Sequence, residues 1–152
     1  MEQQEILTLL QQVAEGSVTP QQAELQLKMA PFEDLGYAKV DLHRKLRQGV
    51  GEVIYGEGKT GEQIVGILTG MLENGQKNVL ITRLSSEKAA FVQKSHPIFY
   101  DPASRIGILG EKAKPWGMGK IVIATGGTSD IPVAEEAALT AEFLGNRVNR
   151  LY

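Results

Sequence analysis

Apolar and polar positions along the chain follow two different periods. Residues 2–15 set Ile6, Leu9, Leu10 and Val13 at helical spacing, and Gly16 closes the run. A second helix start follows at once. Thr19 stands as N-cap, Pro20 in the first turn and Gln22 at the capping-box position, and the helix extends to about Met29. Two short helices with a three-residue break predict a helical hairpin, suited to packing or dimerisation. Residues 31–37 read as a connector, and residues 40–48 as a short helix bearing His43, Arg44, Lys45 and Arg47.

From residue 52 the pattern changes to strands alternating with helices. Residues 52–55 read as a strand and 56–58 as a turn. Thr60 and Gln63 then cap a helix with a wide apolar stripe, formed by Ile64, Val65, Ile67, Leu68, Met71 and Leu72 and stopped at Gly75. Residues 78–82 form the next strand. A helix starts at Ser85 or Ser86 and runs through Lys94. Residues 98–100 and 105–109 flank a turn at Asp101-Pro102, as a hairpin or as two edge strands. This rhythm predicts a small α/β layer with a partly parallel sheet.

Residues 112–119, with Pro115, Gly117 and Gly119, read as a linker in which Trp116 packs at a domain junction. Beyond it, residues 121–124 form a buried strand that stops at two glycines. Pro132 opens a helix to Leu144, and a second strand covers 147–152. One strand–helix–strand cannot bury both faces of its sheet. The segment is therefore expected to begin a second domain whose remainder lies outside this chain, or to add to the first sheet. The expected fold class is α/β, divided into a helical hairpin (1–30), a small α/β domain (31–114), and a linker with the incomplete start of a further domain (115–152).

Composition narrows the function. In 152 residues, 42% are hydrophobic and 22% charged, which is ordinary for a globular protein. A net charge of -2 gives no electrostatic footprint for nucleic acid. The chain carries no apolar run long enough for a membrane helix and no basic secretory start, so a cytoplasmic protein without nucleic-acid or membrane partners is expected. Cysteine is absent, which removes disulfides, thiolate metal sites and a cysteine nucleophile from these residues.

Two phosphate motifs fail. Gly58-Lys59-Thr60 sits between strand and helix, but a P-loop needs a further glycine where Val53 stands. The expectation there is a capped helix start with Lys59 in solvent. Gly117-Met118-Gly119 precedes its strand, whereas a dinucleotide fingerprint follows one. His43 and His96 are 53 positions apart, without ligand spacing, and are expected at a surface or junction; no metal site is expected. The Arg44, Lys45, Arg47 run reads as a solvated helix face or a phosphate contact for a neighbouring subunit.

Gly126-Gly127-Thr128-Ser129-Asp130 remains. Its glycines permit close backbone approach, and its two hydroxyls and carboxylate suit ribose or phosphate. A helix start capped by Ser129 or Asp130 fits the same residues equally well.

The stretch from Thr125 to Ala137, reading Thr-Gly-Gly-Thr-Ser-Asp-Ile-Pro-Val-Ala-Glu-Glu-Ala, resembles the start of the catalytic domain of the LarB family, relatives of the PurE-type AIR carboxylases. The resemblance extends upstream through Asp41-Leu-His-Arg44 and Glu52-Val-Ile-Tyr-Gly-Glu-Gly-Lys-Thr60, and downstream through Ala141-Glu-Phe-Leu-Gly-Asn146 to Tyr152. It implies a flavodoxin-like, three-layer catalytic domain of which residues 115–152 hold the first strand–helix–strand.

It also implies an activity. LarB-type enzymes carboxylate nicotinic acid adenine dinucleotide at pyridinium C5, with carbon dioxide or bicarbonate as co-substrate. They also hydrolyse its phosphoanhydride, releasing AMP and pyridinium-3,5-biscarboxylic acid mononucleotide, a precursor of the nickel-pincer nucleotide. A Mg2+ ion in the intact enzyme and a homo-oligomer, an octamer as in the AIR carboxylases, belong to the same expectation. In those relatives the loop reads Gly-Ser-x-Ser-Asp. Carried over, Ser129 and Asp130 match the second serine and the aspartate, while Gly127 replaces the first serine, which argues against the purine substrate. Gly126, Gly127, Thr128, Ser129 and Asp130 are the candidate substrate-binding residues. The family's cysteine, which attacks the pyridinium ring, lies far downstream of this loop. The expectation is an N-terminal fragment, inactive alone. An AIR carboxylase or mutase paralogue and a non-catalytic interaction or oligomerisation module are the alternatives.

Overall fold

The computed structural model describes residues 3–29, 32–34, 39–41, 53–111 and 114–152. The chain divides into two units, Met1–Glu52 and Val53–Tyr152.

In the first unit, α1 (Gln3–Ala14) and α2 (Pro20–Met29) pack on each other. Leu9 and Ala23 are buried. Gly16 takes φ 76°, the left-handed conformation that glycine reaches without steric cost, and ends α1. The Thr19–Gln22 capping box forms in full: the Gln22 N–H donates to Thr19 Oγ1 at 3.2 Å, and the Thr19 N–H donates to Gln22 Oε1 at 2.9 Å.

The next segment corrects the sequence reading. Instead of a connector and a helix start, β1 (Phe32–Asp34) and β2 (Lys39–Asp41) form an antiparallel pair, with Glu33 opposite Val40. Lys39-Val40-Asp41 alternates polar, apolar, polar, which is the strand period. A helix over 40–48 would instead group Val40 with residues beyond Asp41. His43, Arg44, Lys45 and Arg47 lie outside the described residues.

The second unit is α/β with a mixed sheet. Its four strands are β3 (Val53–Tyr55), β4 (Val79–Thr82), β5 (Ile98–Asp101) and β6 (Ile106–Leu109), in spatial order β3-β4-β6-β5. The β3–β4 pair is parallel; β4–β6 and β5–β6 are antiparallel. Residues 98–109 therefore form a hairpin. Its turn is fixed by Asp101, whose Oδ2 accepts from the Ser104 N–H at 2.8 Å and the Ser104 hydroxyl at 2.6 Å.

The crossover helix α3 (Gly61–Glu73) begins at a second complete capping box, Thr60 with Gln63. The next helix, α4 (Ser86–Val92), is capped by the Ser85 hydroxyl. Val79, Leu80 and Ile81 are fully buried, so β4 is covered on both faces. Successive side chains point to opposite faces. Leu80 joins Ile106, Ile108, Leu139 and Phe143 in one core. Val79 and Ile81 face the other way, toward the layer of α3 and α4, where Ile64, Leu68, Met71, Ala89 and Val92 are also buried.

Leu139 and Phe143 come from α5 (Ile131–Phe143), which connects β7 (Lys120–Ala124) to β8 (Arg147–Leu151). The β7–β8 pair is parallel and forms its own two-stranded sheet; it does not extend the first one. Arg150 on β8 ties this unit together. Its Nε donates to Glu135 at 2.9 Å and its guanidinium also meets Glu142, two carboxylates seven residues apart on one face of α5. The paired carboxylates, led by Glu142, raise the Arg150 pKa further.

Two expectations fail here. β7 is not a buried strand: Ile121 is 39% and Val122 57% exposed. It pairs with β8 alone, and α5 covers one face, leaving an open cleft of about 490 Å³ bordered by Ile121, Val133, Ala137 and Leu144. Trp116 is not packed into a junction either; it is 74% exposed. Its backbone N–H donates to the Gly145 carbonyl at 3.0 Å and its ring lies against Gly145, where a Cβ would collide with it.

Candidate functional site

The loop of residues 125–130 leaves the carboxyl end of β7 and enters α5. Thr125 organises it. The Gly127 N–H donates to Thr125 Oγ1 at 3.4 Å, and that hydroxyl donates to the Gly127 carbonyl at 3.2 Å. It also lies 3.5 Å from Asp130 Oδ2. A 3₁₀ turn, Thr128–Asp130, closes with the Asp130 N–H on the Gly127 carbonyl at 3.1 Å. Pro132 then sits in the first turn of α5, where a missing donor costs nothing.

The plain capping alternative is not realised. Asp130 occupies the N-cap position with φ -93° and ψ -11°, and no side chain caps either the turn or α5. Among the described residues, the hydroxyls of Thr128 and Ser129 take no hydrogen-bond partner. All five candidates, Gly126 to Asp130, are exposed.

Gly127 is extended, at φ -148° and ψ 149°, a conformation open to any residue. A Cβ added there would lie 3.7 Å from both Ser129 Oγ and Asp130 Oδ2, ordinary contact distances. Glycine at 127 is therefore required neither by backbone strain nor by crowding. Its effect is to leave a cradle with a hydroxyl and a carboxylate on its rim. Nothing within 4 Å would meet a Cβ at Gly126. The helix start adds uncapped N–H groups and a positive dipole end, a combination that suits an anionic or sugar-hydroxyl ligand.

The rejected motifs stay rejected. Thr60 Oγ1 accepts from the Gln63 N–H at 3.2 Å, so its hydroxyl serves the helix cap. Lys59 is half-buried, not fully in solvent. His96 is half-buried, with Nε2 at 3.1 Å from Thr69 Oγ1. Among the described residues no group of three or more His, Cys, Asp or Glu is placed to hold a metal ion. No helix among them is long and apolar enough to cross a membrane. A cleft of about 530 Å³ between α3 and α4, lined by Glu62, Glu87, Phe91 and Lys94, lies apart from the loop; there Lys94 stacks over Phe91 at 5.5 Å.

A second group of polar side chains carries no sequence motif. Tyr55 ends β3 and its hydroxyl donates to Glu57; Arg83 follows β4 and its Nε donates to Glu136 Oε1 on α5 at 3.0 Å. The hydrogen bond from Tyr55, and after it the charges of Arg83, Arg105 and Lys88, hold the Glu57 carboxyl below its usual range. The same bond pushes the Tyr55 hydroxyl up. One signal was present in the sequence: Arg83 directly follows a strand that leads into a helix, the position where α/β sheets present ligand-binding groups.

With this geometry in place, comparison with known proteins gives the class. Residues 32–111 match the LarB/PurE-like N-terminal domain. The chain belongs to the LarB family, a carboxylase-related group. It is 35% identical over 137 residues to the uncharacterized protein MJ0165 of Methanocaldococcus jannaschii, a match covering 86% of this chain and 54% of that protein. The chain thus spans about half the length of the curated relative it matches.

Proposed function

We propose that this chain is part of a pyridinium-3,5-biscarboxylic acid mononucleotide synthase and supplies one wall of its nucleotide site. The substrate is nicotinic acid adenine dinucleotide. Carbon dioxide adds to pyridinium C5 with loss of the ring proton, and water cleaves the phosphoanhydride to release AMP. The observation that carries this reading is the loop itself. In a LarB-family chain, Ser129 Oγ and Asp130 Oδ2 flank a side-chain-free Gly127 at the carboxyl end of a parallel strand. The Ser129 hydroxyl donates to a phosphate oxygen, Asp130 accepts from ribose hydroxyls, and the open backbone at Gly126 and Gly127 admits the group closely.

The chain contains no cysteine, so activation of C5 by a thiolate falls to residues outside 1–152 and this chain alone is inactive. A Mg2+ ion finds no group of three or more His, Cys, Asp or Glu among the described residues to hold it. Leu7, Leu10 and Leu25 are exposed on α1 and α2 and offer an apolar surface for subunit pairing in a homo-oligomer.

The test uses the longer protein that contains residues 1–152, supplied with the dinucleotide and isotopically labelled bicarbonate. Label in the mononucleotide, with AMP released in equal amount, is the expected result, and the 152-residue chain gives neither. AMP without carboxylation overturns the assignment. Tight binding of aminoimidazole ribonucleotide in place of the dinucleotide transfers it to an AIR carboxylase or mutase.

A further inference from the structure

Two arginines occupy backbone conformations that this chain otherwise gives to glycine. Arg83 has φ 54° and Arg105 φ 57°; the other left-handed positions among the described residues are Gly16, Gly75, Gly110 and Gly145. A side chain in this region is strained, and such strain persists where the surroundings hold it. Both turns would form more easily with glycine or asparagine, so arginine there is not explained by the turns.

The two positions meet at one end of the sheet. Arg83 follows Thr82, the last residue of β4, and Arg105 precedes Ile106, the first residue of the antiparallel β6. The Leu84 N–H donates to the Arg105 carbonyl at 2.8 Å, and the Arg105 guanidinium donates to the Arg83 carbonyl at 3.4 Å. This is also the carboxyl end of the parallel strands β3 and β4, where open α/β sheets hold ligands.

The surrounding groups leave the arginines available. Lys88 spends its ammonium on the carbonyls of Gly56 and Glu57, at 3.0 and 2.9 Å, and so fixes the turn after β3. Arg83 gives Nε to Glu136, and among the described residues its two Nη groups have no partner; its side chain is 43% exposed. Arg105 is exposed and gives one contact to a carbonyl. Glu57 takes its side-chain hydrogen bond from the Tyr55 hydroxyl.

The cluster shares its end of the unit with the Gly126–Asp130 loop. Glu136 lies six residues after Asp130, about 9 Å along the helix axis, and its Cβ leans toward the helix start. Arg83, bound to Glu136, therefore stands on the side where α5 begins.

We propose that Arg83 and Arg105 form an anion site for the phosphate or pyrophosphate of a small-molecule ligand. Planar guanidinium forks suit paired phosphate oxygens. The assignment of this anion to the pyrophosphate of nicotinic acid adenine dinucleotide rests on the function proposed above; the anion site itself does not.

The test titrates the 152-residue chain with inorganic pyrophosphate by calorimetry. Saturable binding is expected, weakened at least tenfold in Arg83→Gln and in Arg105→Gln. In Lys77→Gln, at the opposite end of β4, it is unchanged. No saturable binding, or Gln variants within twofold of the parent, overturns the site. Arg105→Gly guards against misfolding, because it removes the charge and relieves the backbone together. It should melt no lower than the parent and still bind at least tenfold more weakly; retained binding overturns the site. Arg83-dependent pyrophosphate binding with no binding of the dinucleotide upholds the site and removes the proposed substrate. Dinucleotide binding that ignores both Gln variants, without pyrophosphate binding, keeps the substrate and overturns the site.

Discussion

Arg83 Nε donates to Glu136 Oε1 at 3.0 Å, joining the end of β4 to the second turn of α5. These side chains are 43% and 20% exposed, and an ion pair so placed contributes at most about 1 kcal/mol. Its consequence is one of position. It fixes the strand end that carries the two left-handed arginines against the helix whose start carries the Gly126–Asp130 loop.

Arg105→Gly should stabilise the fold. The left-handed conformation costs a residue with a Cβ roughly 1–2 kcal/mol, and glycine returns about 0.5–1 kcal/mol of that as backbone entropy. A net gain of about 0.5–1 kcal/mol is expected as a higher denaturation midpoint in urea at unchanged slope. A lower midpoint would show that the Arg105 side chain supports the fold.

Thr60→Ala should cost about 1 kcal/mol, because the Thr60 hydroxyl accepts from the Gln63 N–H and the box is complete. Thermal unfolding checks this. Thr60→Ser, which keeps the acceptor, should recover most of the loss.

Leu80→Ala should cost about 2–5 kcal/mol. Leu80 is fully buried between β6 and α5, in the core with Ile108 and Phe143. Because that core joins the first sheet to α5, amide exchange should accelerate in α5 as well as in β4.

Glu57 makes stability depend on pH. Its folded pKa is depressed, first by the Tyr55 hydrogen bond and then by Arg83, Arg105 and Lys88. The stabilisation is complete above the unfolded pKa of the carboxyl and is lost as pH falls through the lower folded value. Tyr55→Phe removes the largest cause, so the Glu57 carboxyl should titrate at higher pH in a carbon-13 NMR titration. An unchanged midpoint would contradict the hydrogen bond.

Much of this fold was legible because its signals are local. The Thr19–Gln22 and Thr60–Gln63 boxes and the Ser85 cap join side chains to backbone within three residues, so sequence spacing alone specifies them. The partly parallel sheet followed from the alternation of strands with helices, and β3–β4 is its parallel pair. The β1–β2 pair was missed because three-residue strands carry almost no periodic signal. The exposure of Ile121 and Val122 was missed because an apolar run reports preference for burial and not whether a covering layer is present. The Gly126–Asp130 loop was visible as a composition. The arginine cluster was not, because Arg83 and Arg105 stand 22 positions apart and are brought together only by the antiparallel pairing of β4 with β6.

The most direct measurement is an amide NMR titration of the 152-residue chain with nicotinic acid adenine dinucleotide. The account predicts saturable shifts at Gly126, Gly127, Thr128, Ser129 and Asp130, accompanied by the Arg83 side-chain Nε–H and abolished by Asp130→Ala. Shifts confined to other residues, or no shifts at millimolar dinucleotide, would contradict it.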